Sequence, residues 1–114
     1  MASSLPNTFG KLELELRRGV LVLAVLAQLR TPQYGYSLRK ALEDQGMPIE
    51  EGTLYPLIRR LESQGLLASD WRIESARPRR YYRLNEAGAA LCSELKNSWQ
   101  RLNAVMERLL EREN

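Results

Sequence analysis

The residues best suited to chemistry in this chain are arginines clustered in one short segment. Five arginines and one glutamate lie between Trp71 and Arg83, whereas the whole chain of 114 residues has a net charge of only +3. Guanidinium groups bind phosphate through charge and paired hydrogen bonds. The cluster therefore favours contact with backbone phosphates, although a solvated loop or a strand edge guarded against aggregation would also use arginine.

Catalysis has little support in the composition. The chain contains no histidine, which is the commonest general base. Its single cysteine, Cys92, lies in a helical segment without a basic neighbour, so we expect a buried, unreactive thiol. No glycine-rich loop follows a predicted strand. We expect no enzyme activity, no metal site and no cofactor.

The spacing of apolar residues predicts four helices and one hairpin that position these arginines. The predicted helices are about Lys11–Leu29, Tyr36–Gln45, Glu51–Gln64 and Glu86–Glu113. The predicted strands, 66–73 and 81–84, flank a polar tip over residues 74–80 that Pro78 stiffens. Tyr82 and Leu84 are predicted to face inward, with Trp71 packed beside them.

The second and third helices are separated by Gly46-Met47-Pro48-Ile49, which is typical of a helix-turn-helix unit. In the third helix the apolar residues recur at i, i+3, i+4 and i+7, so the opposite face is free to contact the major groove of DNA. We expect DNA contacts from Thr53, Tyr55, Arg59, Arg60, Arg77, Arg79 and Arg80. The alternative for Arg59 and Arg60 is that they solvate the helix and pair with Glu62 or Glu43.

The last predicted helix carries an apolar seam that one short chain has little means to bury. Its members recur every three or four residues, and they are Cys92, Leu95, Trp99, Leu102, Met106 and Leu109. The seam could fold back on the first helix, but helices of a two-fold partner are the better hypothesis. Val20, Leu95, Trp99, Leu102 and Met106 are thus expected at a dimer interface. They could also line a pocket for a planar hydrophobic effector.

Size and targeting features set the remaining expectations. The longest apolar run, residues 19–27, is shorter than the roughly 20 residues that a membrane span needs. No secretory signal is visible over residues 1–7, so we expect a cytoplasmic protein. We expect a flexible extension over 1–10, a DNA-binding unit over 11–85 and a dimerisation helix over 86–114.

Several motifs together resemble the PadR family of transcriptional regulators. EGTLYPLIRRLE (51–62), GLL (65–67) and RRYYRL (79–84) are similar to that family's recognition helix and wing, and YGY (34–36) is similar to the start of its second helix. The resemblance covers roughly residues 16 to 110 and is closest to the smaller members, which have a single C-terminal helix. It implies a mainly α (α+β) winged helix-turn-helix fold with a two-stranded wing. It also implies a homodimeric DNA-binding regulator, in most members a repressor that a small molecule relieves. The alternative is a winged-helix module for protein–protein interaction.

Overall fold

Residues 6–111 are described in this computed structural model, and their backbone forms four helices and one sheet. In chain order the elements are α1 (Pro6–Gln28), β1 (Gln33–Tyr34), α2 (Gly35–Asp44), α3 (Glu51–Ser63), β2 (Leu67–Glu74), β3 (Arg77–Leu84) and α4 (Glu86–Glu111). Helix α1 begins at Pro6 rather than near Lys11, so residues 6–10 of the expected flexible extension are helical. Proline suits the first helical position because its missing N–H needs no partner there. Residues 1–5 of that extension and residues 112–114 of the last predicted helix lie outside the described part.

The apolar core forms where the first three helices meet. Helix α3 buries the side chains that its spacing predicted, and these are Leu54, Leu57, Ile58 and Leu61. Leu26 of α1 and Leu38 of α2 pack into the same cluster, with 0% and 1% of their surfaces exposed. Cys92 of α4 joins this cluster as a buried free thiol, in agreement with its predicted role.

Two glycines end the second and third helices with the same backbone geometry. Gly46 and Gly65 have φ values of +91° and +80°, a region that glycine enters without steric cost. After Gly46, the N–H of Met47 donates to the carbonyl of Leu42 at 2.8 Å. After Gly65, the N–H of Leu66 donates to the carbonyl of Leu61 at 3.1 Å. Each helix therefore ends in a Schellman motif, which satisfies its last carbonyls and turns the chain sharply.

The sheet contains one strand more than the sequence predicted. Its order is β1-β3-β2, and both strand pairs are antiparallel. The added strand β1 comprises only Gln33 and Tyr34, which pair with Tyr82 and Tyr81 of β3. Two residues are too few to show an alternating pattern, so sequence periodicity does not reveal this strand.

The hairpin of β2 and β3, which we call the wing, is longer than expected. Its turn consists of Ser75 and Ala76, which both have positive φ (52° and 63°), and the predicted polar tip over 74–80 is wrong. Pro78 lies within β3 opposite Ile73, where β1 does not reach and an edge strand tolerates proline. The predicted packing of Trp71 in the core is also wrong, because 66% of its surface is exposed.

Helix α4 is fixed to the rest of the fold at its first turn. The Asn85 side chain accepts a hydrogen bond from the N–H of Gly88 at 2.9 Å and donates one to the carbonyl of Gly65 at 2.9 Å. Gly88 is buried against the backbone of Leu66, so the helix approaches the α3–β2 connection closely. Beyond this turn α4 packs along α1. The long helix is therefore held both at its first turn and along α1, which belongs to the DNA-binding unit predicted over residues 11–85.

Gly88→Ala should destabilise the protein because the added Cβ would overlap the Leu66 carbonyl oxygen, which is backbone and cannot rotate away. Overpacking of this kind costs about 1–3 kcal/mol. Urea denaturation followed by circular dichroism at a fixed protein concentration measures the loss of stability. Gly10→Ala is the matched control, since it also lies in a helix but a Cβ there meets nothing within 4 Å. Equal stability of the two variants would contradict this close approach.

Candidate functional site

The exposed face of α3 carries the four predicted contact residues of that helix. Thr53, Arg59 and Arg60 are exposed. Tyr55 is half-buried because its ring lies against Gly35, where a Cβ would come within 2.8 Å of a ring carbon. Because Gly35 has no side chain, the Tyr55 ring can pack against the start of α2. Its phenol is held at a fixed position on the helix surface.

Side chains of the wing alternate between two sides of the sheet. The helix-facing side turns toward α3, and its residues are Leu67, Ser69, Trp71, Ile73, Pro78, Arg80, Tyr82 and Leu84. The outer side carries Asp70, Arg72, Glu74, Arg77, Arg79 and Tyr81. Because residues directly opposite in an antiparallel pair share a side, the predicted cluster of wing arginines is divided. Arg80 lies on the helix-facing side, whereas Arg77 and Arg79 lie on the outer side.

Arg80 links the wing to α3 through an ion pair. Its Nη2 donates to Glu62 at 2.7 Å and to the Ser69 hydroxyl at 3.0 Å. The Ser69 hydroxyl donates in turn to the same Glu62 oxygen at 3.0 Å. The predicted alternative had Glu62 pairing with Arg59 or Arg60, but the partner of Glu62 is Arg80. Arg80 thereby joins the wing to the last turn of α3.

Arg79 belongs to a second polar network on the outer side. Its guanidinium lies over the ring of Tyr34 at 4.5 Å and donates to Glu74 at 3.4 Å. The Tyr81 hydroxyl donates to the same Glu74 oxygen at 2.5 Å. This hydrogen bond, aided by burial, raises the pKa of the Tyr81 phenol above its ordinary value. The carboxylate of Glu74 therefore balances part of the positive charge of the wing.

Three of the predicted contact arginines keep their charge exposed. Among the described residues, Arg59, Arg60 and Arg77 form no ion pair within 4.0 Å. Arg59 also lines a cleft of about 290 Å³, together with Tyr55 of α3 and with Arg79 and Arg80 of the wing. This cleft brings both predicted parts of the site, the face of α3 and the basic hairpin, to one surface.

A second cluster of predicted residues comes together between α1 and α4. Val20, Leu95, Trp99 and Leu102 line a cavity of about 540 Å³. Met106 lines an adjoining cavity of about 280 Å³ with three of these four side chains. Trp99, Leu102 and Met106 remain 42%, 61% and 46% exposed in the single chain. The seam that the sequence predicted is thus an open apolar surface over most of its length.

Other kinds of site find no support in residues 6–111. No group of three or more histidine, cysteine, aspartate or glutamate side chains there could hold a metal ion. No helix in that range combines the length and hydropathy of a membrane span.

Known proteins share both the sequence and the fold of this chain. Residues 22–94 match the family described as Transcriptional regulator PadR-like family. A transcriptional regulator from Mycobacterium tuberculosis is 35% identical over 89 residues, which cover 77% of this chain and 83% of that protein. The crystal structure of a PadR family transcriptional regulator from Eggerthella lenta is 49% identical and superposes with a TM-score of 0.88, covering 98% of this chain and 100% of that one.

A more distant solved structure has the same architecture. The PadR-like transcriptional regulator from Bacillus cereus is 28% identical, with a TM-score of 0.79 over 87% of this chain and 99% of that one. These relatives are named as transcriptional regulators rather than as enzymes. The family match spans more than half of the chain, and the fold is the winged helix-turn-helix that the motifs predicted. This chain therefore belongs to the PadR-like family of transcriptional regulators.

Proposed function

We propose that this protein is a cytoplasmic, homodimeric repressor that binds an inverted-repeat operator and releases it in response to a small hydrophobic ligand. The observation that carries DNA binding is the cleft between α3 and the wing, which is lined by Tyr55, Arg59, Arg79 and Arg80. A recognition helix enters the major groove while the adjoining wing contacts the backbone, and this requires both elements on one surface.

The contact residues divide into two roles on physical grounds. Arg59, Arg60 and Arg77 are exposed and unpaired among the described residues, so we assign them direct contacts with phosphate or with a guanine edge. Thr53 and Tyr55 add hydroxyl donors to phosphate. Arg79 and Arg80 already hold carboxylates, and binding phosphate would require them to share or exchange those partners. The main contribution of Arg80 is to hold the wing beside α3, and that of Arg79 is to order the outer side of the wing.

Arg59→Ala and Arg77→Ala should each make DNA binding less sensitive to salt. Removing one phosphate contact lowers the slope of log affinity against log salt by about 0.9, and one substitution in a symmetric dimer removes two such contacts. Fluorescence anisotropy with labelled operator DNA over a range of salt concentrations measures the slope. Lys96→Ala is the control, since it removes a cation from α4 outside the proposed surface. Slopes identical to this control would refute the phosphate contacts of Arg59 and Arg77. A wild-type protein that binds no duplex at low salt would instead favour an interaction module.

The dimer is supported by the apolar face that α4 leaves uncovered. Trp99, Leu102 and Met106 are not the only exposed apolar side chains of this helix. Val105, Leu109 and Leu110 are 38%, 58% and 74% exposed. A contiguous apolar surface of this length is unusual for a monomer and typical of an interface. A two-fold arrangement through α4 covers the same surface on both protomers. It would also hold two recognition helices at a fixed spacing, as an inverted repeat requires.

Leu102→Glu should convert the dimer to monomers, because each protomer would carry a carboxylate into an apolar interface at a cost of several kcal/mol. Analytical ultracentrifugation measures the mass, and a fall in operator affinity should accompany dissociation. Asn97→Glu adds the same charge to an exposed position off the predicted seam and should leave the dimer intact. If Leu102→Glu still sediments as a dimer, the interface lies elsewhere.

The ligand response is supported by the cavity between α1 and α4 that Trp99 lines with Val20 and Leu95. Its lining is mostly apolar, so the ligand it fits is hydrophobic, and a flat ligand would stack on the indole. A ligand can release DNA only if it binds the free form more tightly than the DNA-bound form. Because the cavity adjoins α4, a ligand there could alter the spacing of the two recognition helices.

Planar aromatic compounds should quench tryptophan emission and weaken operator binding in parallel, because ligand and DNA affinities are linked reciprocally. Titration of the wild-type protein against Trp99→Phe and Trp71→Phe assigns the emission change to one indole. We expect the response to vanish in Trp99→Phe and to persist in Trp71→Phe. Compounds that perturb Trp99 without changing operator affinity would leave this residue with a packing role only.

A further inference from the structure

Helix α3 begins with two glutamates at one end of the face that we propose for DNA. Glu50 is its N-cap residue, with an extended backbone (φ −83°, ψ 152°), and Glu51 is its first helical residue. Both side chains are exposed. Because phosphate repels a carboxylate, neither side chain can add to the arginine contacts with the DNA backbone. Backbone contact therefore does not explain two acidic residues at this end of α3.

Glu51 has a partner within the fold. Its carboxylate forms an ion pair with Arg39 of α2, with 3.8 Å between the closest nitrogen and oxygen atoms. The Arg39 guanidinium also lies 5.5 Å from the centre of the Tyr36 ring. Glu51 is thus turned toward α2, where the ion pair joins the two helices of the helix-turn-helix unit.

The Glu50 side chain has no such role. It does not cap α3, because the N–H groups of Thr53 and Leu54 donate to the backbone carbonyl of Glu50 at 3.0 and 2.9 Å. In the described part of the chain it forms no ion pair within 4.0 Å, although Arg17 and Arg18 of α1 line the same cavity. The carboxylate is therefore available to accept hydrogen bonds from a partner.

Glu50 lies where a recognition helix meets the base pairs. In helix-turn-helix proteins the N-terminal residues of the second helix contact base edges in the major groove. Glu50 and Thr53 line one cavity of about 600 Å³, so the available carboxylate shares a surface with a predicted contact residue. The positive charges of Arg17 and Arg18 on this cavity lower the repulsion between the carboxylate and nearby phosphates.

We infer that Glu50 reads a cytosine in each half-site of the operator by accepting a hydrogen bond from the cytosine 4-amino group in the major groove. This inference rests on the proposed DNA binding and names a residue that selects the sequence. A carboxylate only accepts hydrogen bonds, and the donors in the major groove are the amino groups of cytosine and adenine. Adenine presents its amino group beside the N7 acceptor, which repels a carboxylate, so cytosine is the better partner.

Glu50→Gln tests the inference at nearly constant side-chain size. The operator is first isolated by selecting duplexes that the wild-type protein binds from a randomised pool, and each base pair is then changed symmetrically in both half-sites. At one position the wild-type protein should prefer C·G to the other pairs by about tenfold, the scale of one specific base contact. Glu50→Gln should lose this preference and favour A·T there, because a glutamine amide pairs with both N6 and N7 of adenine.

Glu51→Gln is the matched control, since it removes the same charge from the adjacent residue, whose carboxylate faces Arg39. It should keep the base preferences of the wild type. Circular dichroism should show the same helix content in both variants, because both positions are exposed.

Three outcomes would overturn the inference while leaving the proposed function standing. They are unchanged base preferences in Glu50→Gln, an equal change of its affinity for every operator variant, and the same altered preference in Glu51→Gln. The second and third outcomes would mean that the charge acts by general repulsion of phosphate. A wild-type protein that binds no duplex at low salt would overturn both proposals together.

Discussion

Burial of one apolar stripe on α3 sets the orientation of the helix face that the proposed DNA binding needs. Leu54, Leu57, Ile58 and Leu61 are at most 7% exposed, and their spacing of one helical turn leaves a single rotation of the helix compatible with the core. That rotation turns Arg59 and Arg60 outward. It also brings Tyr55 against Gly35, where a larger residue would clash. The exposed face of α3 is thus a consequence of its buried face.

The second constraint is electrostatic and concerns how many cations remain available to a partner. The basic segment between Trp71 and Arg83 has a large formal charge, but carboxylates within the fold neutralise much of it. Glu62 holds Arg80 and Glu74 holds Arg79. These pairs are partly exposed, so each contributes little to stability by itself. They matter for geometry instead. The Arg80–Glu62 pair joins the wing to α3, and the Arg79–Glu74 pair orders the outer side of the wing. Neither pair involves Arg77, whose charge remains exposed.

The wing and α4 show the same distribution of buried and exposed residues. Leu67 and Leu84 at the base of the wing and Gly88 in the first turn of α4 are buried, whereas the far halves of both elements expose apolar side chains. A chain of 114 residues has too small a core to cover two long projections. The projections therefore point to partners. The exposed face of α4 continues a helical seam that a second copy can match.

The sequence by itself determined the helices, the hairpin and the inward face of α3, because apolar periodicity and glycine stops are local signals that tertiary context did not override here. The motifs of residues 51–84 also determined the family. Only the tertiary structure decided the strand β1, the turn at Ser75-Ala76, the exposure of Trp71 and the partners of Arg79 and Arg80. A two-residue strand has no period, and a Ser-Ala turn lacks the usual Gly or Asn. Ion pairs such as Arg80 with Glu62 join residues from different elements, so they depend on how the wing packs against α3, which no local pattern encodes.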